Sequence, residues 1–171
     1  MVDLKVLLSE EEIQKRLEEL AREIDEYYNG ENILVICVLR GAIYFMTDLT
    51  KKMKTPMHSD FIRVSSYEGT ETTEKINIIN DLSEDIKGKK VLVVEDIIDT
   101  GYTLKYLKQY LLSKEPEDLK IVVLADKKER RKVEVDVDFI GFEIPNKYVV
   151  GYGFDYYNTC RNLPYIGYIE N

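Results

Sequence analysis

The chain of 171 residues has two cysteines, one histidine and no long apolar run. Two cysteines, Cys37 and Cys160, are too few for a disulfide framework. No apolar run approaches the roughly 20 residues that span a membrane, and the first residues lack a signal-peptide pattern. The hydrophobic fraction of 44% and the charged fraction of 33% are those of a soluble globular protein. We therefore expect a single domain, residues 1–171, in the cytoplasm.

Several kinds of functional site are also missing from the sequence. His58 is the only histidine, and no Cys/His metal cluster, Ser/His/Asp set or P-loop is visible. The net charge of −8 argues against non-specific nucleic-acid binding, which needs many Lys and Arg side chains to neutralise phosphates. If this acidic chain binds an anion, it needs a divalent metal, a few placed basic groups or backbone N–H groups.

The apolar pattern alternates between strands and helices. Ser9 and Glu12 predict a capping box that starts a helix, and Gly30 is a plausible end of it. A second helix is predicted over 42–53, and residues 61–66 and 75–79 form a predicted hairpin. Further strands are predicted at 33–39, 91–94, 121–125, 133–140 and 148–150. This order favours an α/β fold with a mainly parallel sheet covered on both faces.

The segment 91–103 is the most informative one. Four apolar residues predict a buried strand, and two carboxylates, Glu95 and Asp96, follow it directly. Then come Asp99, a Thr-Gly pair and an apolar pattern typical of a helix. Ligands bind outside the carboxyl ends of strands in open α/β sheets, and a glycine-containing loop at a helix N-terminus is a phosphate site. One segment can thus hold a sugar, a phosphate and a cation.

This segment resembles the 5-phosphoribosyl-1-pyrophosphate (PRPP) binding motif of the type I phosphoribosyltransferases. The form Glu-Asp-Ile-Ile-Asp-Thr-Gly looks like the hypoxanthine–guanine branch. The resemblance implies that Glu95 and Asp96 hold the ribose hydroxyls and the metal, and that Asp99 faces purine nitrogen 7 as a general base while also contributing to PRPP binding. It also implies a cradle for the 5′-phosphate, made by Thr100, Gly101, Tyr102 and Thr103.

Two further segments resemble parts of the same family's site. Arg40 and Gly41 match the pyrophosphate loop, which in the family usually has Lys before Gly and a non-proline cis peptide between them. The alternative for this pair is an ordinary strand–helix turn. Ser66 and Tyr67 match the start of the family's mobile lid, here about 65–75, and the alternative is a solvent-exposed hairpin tip.

The C-terminal third resembles the family's purine-binding part, about 141–165. Lys127 matches the lysine that binds the exocyclic oxygen of a 6-oxopurine. Tyr148 takes the place of the ring-stacking aromatic, and the Val149 backbone would contact the purine edge. Asp155 would carry a second magnesium through water as well as lie at the purine site. Arg161 would meet pyrophosphate.

The family resemblance implies a type I phosphoribosyltransferase fold with a small hood over the base site. It implies transfer of 5-phosphoribosyl from PRPP to hypoxanthine or guanine, giving IMP or GMP and pyrophosphate in purine salvage, with Mg²⁺ as cofactor. A homodimer or homotetramer is expected from relatives. Two alternatives remain open: another base, xanthine or adenine, or a nucleotide-sensing regulator that binds DNA or RNA, against which the net charge argues.

Overall fold

The computed structural model describes residues 4–67 and 75–170. Three α-helices and nine strands are present in the described ranges. The helices are α1 (Glu10–Tyr28), α2 (Ile43–Lys52) and α3 (Tyr102–Leu112). The strands are β1 (Leu4–Leu8), β2 (Ile33–Leu39), β3 (Met57–Tyr67), β4 (Lys75–Asn80), β5 (Lys90–Ile98), β6 (Asp118–Asp126), β7 (Phe139–Glu143), β8 (Val149–Val150) and β9 (Ile166–Ile169). Within these ranges, no helix is long and apolar enough to cross a membrane.

Six strands form the central sheet, in the order β4-β3-β2-β5-β6-β7. All neighbouring pairs are parallel except β3 and β4, which form the expected antiparallel hairpin. One face of the sheet packs on α1 and α2 through a core that includes Leu17 and Phe45. The other face packs on α3 through Leu104, Leu107 and Leu111. Burial on both faces explains why β2 is apolar at every position, and the predicted fold class is confirmed.

A second, three-stranded antiparallel sheet has the order β1-β9-β8. It corresponds to the expected hood. The pattern did predict β8, but β1 and β9 lie at the two ends of the chain and were not predicted. Their pairing, for example Leu4 with Ile169, joins residues with the greatest sequence separation, which a local pattern cannot indicate.

The predicted start of α1 is confirmed. Ser9 accepts a hydrogen bond from the backbone N–H of Glu12, and the Glu12 carboxylate accepts one from the N–H of Ser9. The helix ends one residue before the predicted position, because Asn29 already takes the left-handed conformation, with φ at 47°. Asn tolerates this conformation better than most residues do.

The prediction of a strand over 133–140 is wrong for most of its length. Only Phe139 and Ile140 belong to a strand, β7. Val135 and Val137 do face the core on the α3 side, so the alternation of apolar and polar residues reflects a half-buried extended segment. Period two reports which side chains are covered and does not require ladder hydrogen bonds.

Arg16 of α1 covers the edge strand of the sheet. Its Nε donates to the carbonyl of Gly141 at 2.9 Å, and its second guanidinium nitrogen donates to the carbonyl of Ile140 at 2.8 Å. Edge carbonyls covered in this way are not open to pairing with another chain.

We predict that Arg16→Lys lowers the free energy of unfolding by about 1–3 kcal/mol, since an ammonium group does not reproduce the planar set of donors. Urea unfolding followed by circular dichroism measures the change. Arg22→Lys, at an exposed position of the same helix, is the control and should have an effect within about 0.5 kcal/mol. Equal effects of the two variants would contradict the role of Arg16.

Candidate active site

The candidate site lies where three parallel strands end. The carboxyl ends of β2, β5 and β6 are Leu39, Ile98 and Asp126, and the polar segments predicted to carry function follow them. Because parallel strands end at the same edge of a sheet, the fold brings together segments that are far apart in sequence. The structure places these segments together at this edge of the sheet.

Glu95 and Asp96 lie within the last part of β5, which continues to Ile98 rather than ending before the acids. Glu95 is 7% exposed, and its carboxylate accepts a hydrogen bond from the backbone N–H of Asp96 at 3.0 Å. Burial raises the pKa of Glu95 well above its ordinary value of 4.5, and the charge of Asp96 adds to this. Burial also raises the pKa of Asp96, while the bond from Glu95 and the charge of Arg161 act against that rise.

Gly41 lies directly against Asp96. A Cβ on Gly41 would overlap the Asp96 carboxyl group, so only glycine lets the loop after β2 approach this strand end. The cis peptide is one residue earlier than the resemblance implied: it joins Leu39 to Arg40, not Arg40 to Gly41. Gly41 is therefore explained by its close contact with Asp96 and not by the cis peptide bond.

The predicted phosphate cradle lies at the N-terminus of α3. Gly101 is the N-cap residue, with φ at +93°, and a Cβ there would come within 2.8 Å of the carbonyl oxygen of Val133. A cavity of about 260 Å³ opens beside this turn. The predicted residues that line it are Arg40, Gly41, Glu95, Asp96, Asp99, Thr100, Gly101 and Thr103. Tyr102 begins the helix but is not among the lining residues.

A second cavity, of about 320 Å³, adjoins the first, and the two share Asp96, Ile97 and Asp99 as lining residues. The predicted residues of this second cavity are Lys127, Tyr148, Val149, Asp155 and Arg161, and they are joined there by Arg130 and Phe154. The fold thus gathers the predicted purine-binding residues in a pocket next to the predicted PRPP pocket.

Lys127 and Asp99 face the second cavity from adjacent strand ends. Lys127 is only 6% exposed. Burial lowers the pKa of Lys127 from its ordinary value of 10.5, and the charge of Asp99 opposes this effect. The lysine and the carboxylate therefore interact electrostatically across the pocket.

Two arginines at this site were not predicted. The Arg130 Nε lies 2.9 Å from the Asp99 carboxylate. Arg131 forms an ion pair with Asp126 and donates a hydrogen bond to the backbone carbonyl of Asp99 at 3.3 Å. Both arginines belong to the basic run 127–132, which by itself is typical of a solvated turn. The strand order that brings this run close to Asp99 is not visible in a local sequence pattern.

The C-terminal segment closes the second cavity. The Tyr148 ring is 54% exposed, and its hydroxyl donates to the backbone carbonyl of Asp155 at 3.1 Å. Arg161 lies 2.8 Å from the Asp155 carboxylate and donates to the carbonyl of Gly153 at 2.6 Å. Asp155 is thus paired with Arg161. The charge of Arg161 also acts to lower the pKa of Asp96. Val149 is buried within β8.

The predicted lid lies mostly outside the described residues. The backbone of Ser66 and Tyr67 belongs to the end of β3, and the loop that follows, 68–74, is not described. The role of Ser66 and Tyr67 stays a prediction.

The family model for the phosphoribosyl transferase domain matches residues 4–157. A hypoxanthine-guanine phosphoribosyltransferase of Aquifex aeolicus is 47% identical, over 98% of this chain and 96% of the relative. A solved hypoxanthine-guanine phosphoribosyltransferase of Bacillus anthracis superposes with a TM-score of 0.94 at 43% identity, over 99% of this chain and 100% of that one. The chain belongs to the phosphoribosyltransferase family.

A third relative is much longer than this chain. The bifunctional protein TilS/HprT of Listeria monocytogenes is 48% identical over 97% of this chain. The match spans only 26% of the length of that protein.

We predict that Glu95→Gln raises the melting temperature at neutral pH in the presence of a chelator. Because burial raises the pKa of Glu95, the group contributes stability that is fully present below its unfolded-state pKa and is lost as the pH rises through the folded-state pKa. A neutral amide avoids that loss. A gain of about 1 kcal/mol in the free energy of unfolding would raise the melting temperature by roughly 2–4 °C in a domain of this size.

Thermal unfolding at several pH values measures this effect. The gain should shrink toward zero as the pH falls below about 4. Glu134→Gln, at an exposed position, should shift the melting temperature little at any pH. A lower melting temperature for Glu95→Gln at neutral pH would contradict the prediction.

Proposed function

We propose that the chain is a 6-oxopurine phosphoribosyltransferase of purine salvage. It transfers the 5-phosphoribosyl group of PRPP to hypoxanthine, guanine or both, giving IMP or GMP and pyrophosphate. One observation carries the proposal: two adjacent cavities share Asp96, Ile97 and Asp99, one beside a phosphate cradle and one containing Lys127. A base and a ribose placed in these cavities meet at Asp99.

On the base side, recognition follows from the charges around the second cavity. The Lys127 ammonium group is a donor that suits the exocyclic oxygen of a 6-oxopurine and opposes the 6-amino group of adenine, which is also a donor. Asp99 accepts the proton from nitrogen 7 while nitrogen 9 attacks the ribose. Tyr148 stacks on the ring, and the Val149 backbone reads the purine edge. The second cavity is the purine site, and Asp155, from the purine-binding segment 141–165, is among the residues that line it.

On the PRPP side, the 5′-phosphate binds at the start of α3. It is bound by the backbone N–H groups from Thr100 to Thr103 at the helix N-terminus, and Tyr102 contributes only its backbone. Glu95 and Asp96 accept hydrogen bonds from the ribose hydroxyls. The pyrophosphate group binds between the Arg40–Gly41 loop and Arg161.

The residues at this site fit magnesium that is held mainly by the substrate. In the part of the chain that is described, no three Asp, Glu, His or Cys side chains form a metal cage. Mg²⁺ commonly uses one or two carboxylates with waters and substrate phosphates. The buried pair Glu95 and Asp96 would offer such carboxylates, and Asp155, which lines the second cavity, would bind a second ion through water. When bound, the ion neutralises charge on the pyrophosphate.

The chain's own groups account for the rest of the chemistry. Departure of pyrophosphate precedes attack and leaves an oxocarbenium-like ribose, which the Glu95 and Asp96 carboxylates stabilise. Arg161 takes up charge on the leaving group. Ser66 and Tyr67 begin a lid over 65–75 that excludes water from the reactive ribose.

The setting of the reaction is part of the proposal. Cys37 and Cys160 are both free thiols, as expected in a reducing compartment such as the cytoplasm. We expect one functional domain, 1–171, that assembles as a homodimer or homotetramer, which light scattering of the purified protein measures directly.

The central test is an ultraviolet assay of nucleotide formation from PRPP, magnesium and each of hypoxanthine, guanine, xanthine and adenine. We expect turnover of the first two. Asp99→Asn keeps the shape and removes the base, so kcat should fall about 10²- to 10⁴-fold. Asp136→Asn, fully exposed, is the control. Binding of PRPP or nucleotide without turnover of any base would instead favour a regulator.

Base selection is tested at Lys127. Lys127→Ala should raise the KM for hypoxanthine about 10- to 100-fold, because a charge-assisted hydrogen bond to the exocyclic oxygen is lost, while the KM for PRPP changes little. Lys128→Ala is the matched control, because the neighbouring Lys128 is exposed and pairs with Glu143 at 2.7 Å. An unchanged KM for hypoxanthine in Lys127→Ala would refute this assignment of the base site.

A further inference from the structure

Tyr152 lies in a tight turn within the predicted base-binding segment 141–165. It is 3% exposed and has φ at +51°, an unusual conformation for a tyrosine. Its backbone N–H donates to the carbonyl of Leu163 at 2.9 Å. The sequence pattern Gly-Tyr-Gly at 151–153 did not suggest any role for this side chain.

The Tyr152 side chain reaches α2. Its hydroxyl donates to the Asp48 carboxylate at 2.7 Å, and the side-chain amide of Gln14 donates to the same oxygen at 3.1 Å. Burial, reinforced by the bond to Asp48, raises the pKa of Tyr152 above its ordinary value. The phenol therefore stays protonated and remains a donor at physiological pH.

Asp48 and Tyr152 belong to two segments that also touch directly at the site. The helix α2, which carries Asp48, follows the Arg40–Gly41 loop almost at once. Gly153, next to Tyr152, packs so closely on the carbonyl of Gly41 that a Cβ would overlap it. The carbonyl of Gly153 in turn accepts a hydrogen bond from Arg161.

We propose that the hydrogen bond from Tyr152 to Asp48 is a positioning link, which holds the base-binding segment against the pyrophosphate loop. This inference rests on the proposed function and adds a residue pair that contacts neither substrate. The close contact between Gly153 and Gly41 has no side chain to maintain it. The link supplies a directional, partly buried hydrogen bond from the middle of α2, and it fixes the distance between the base-binding segment and the pyrophosphate loop.

Removal of the hydroxyl should therefore affect both substrates together. In Tyr152→Phe the ring still fills its place, but the base-binding segment and the pyrophosphate loop are free to shift relative to each other. We expect the KM values for PRPP and for hypoxanthine each to rise about tenfold, the magnitude expected for one hydrogen bond to a charged group. The kcat should change less than about threefold, since no reacting group is removed.

Tyr28→Phe is the matched control. Tyr28 is also a buried tyrosine, 2% exposed, and its hydroxyl donates to the backbone carbonyl of Val91 at the opposite end of β5. Each variant loses one hydroxyl hydrogen bond, so both should lower the melting temperature. Only Tyr152→Phe should raise the two KM values.

Substitutions of Asp48 provide an independent test. Asp48→Asn keeps an oxygen that accepts from Tyr152 and Gln14, so its KM values should stay within about twofold of the wild type. Asp48→Ala removes the acceptor and should reproduce the KM values of Tyr152→Phe. The double variant Tyr152→Phe/Asp48→Ala should be no worse than either single one, because both remove the same interaction.

The outcomes separate the two proposals. If the wild type turns over hypoxanthine and Tyr152→Phe has wild-type KM values, the positioning link is refuted while the function stands. Additive effects in the double variant, or equal damage by Asp48→Asn and Asp48→Ala, also refute it. If the wild type turns over no purine base, the proposed function fails, and binding of PRPP measured by calorimetry in the same variants still decides whether the link positions the loop.

Discussion

The site depends on how closely the backbone segments at the ends of β2 and β5 approach each other. Gly41 has no space for a Cβ beside the Asp96 carboxylate, and Gly153 has none beside the carbonyl of Gly41. The loop at Gly41 thus contacts both the Asp96 side chain and the backbone of the turn at Gly153. A Cβ on Gly41 would displace the Asp96 carboxylate, and a Cβ on Gly153 would displace the carbonyl of Gly41. The carboxylates, the phosphate cradle and the base pocket have their mutual positions because these contacts hold.

The same close packing places acidic groups where folding alone would not favour them. Glu95 is buried and its pKa is raised, with Asp96 beside it. Two adjacent carboxylates in a poorly solvated strand end reduce the free energy of unfolding. An apolar pair would continue the pattern of β5 and would pack better. In the proposed function these acids accept hydrogen bonds from sugar hydroxyls and bind a cation, which accounts for acids at positions where a buried strand favours apolar residues.

The parts of the fold that follow from local pattern were predictable. The capping box at Ser9, the apolar strand β2 and the order strand, acids, glycine turn and helix through 91–103 each depend on neighbours in sequence. The pairing of β1 with β9 does not. The alternation at 133–138 reflects partial burial, and in the part of the chain that is described these residues form no strand. At the site, Lys127 was predicted from its resemblance to a family lysine. Arg130 carried no such signal, because its contact with Asp99 depends on the order of strands in the sheet.

The pairing of Arg130 with Asp99 also bears on how a base enters the pocket. The two side chains are 47% and 35% exposed, and ion pairs of that exposure contribute at most about 1 kcal/mol. Arg131 is more enclosed and holds both Asp126 and the backbone of Asp99. The short helical turn Lys128–Arg130 is therefore fixed by Arg131, which keeps Lys127 in place, while Arg130 is free to leave. In the proposed function, a purine whose nitrogen 7 binds the Asp99 carboxylate displaces Arg130, the weakly held partner, while Arg131 keeps its contacts.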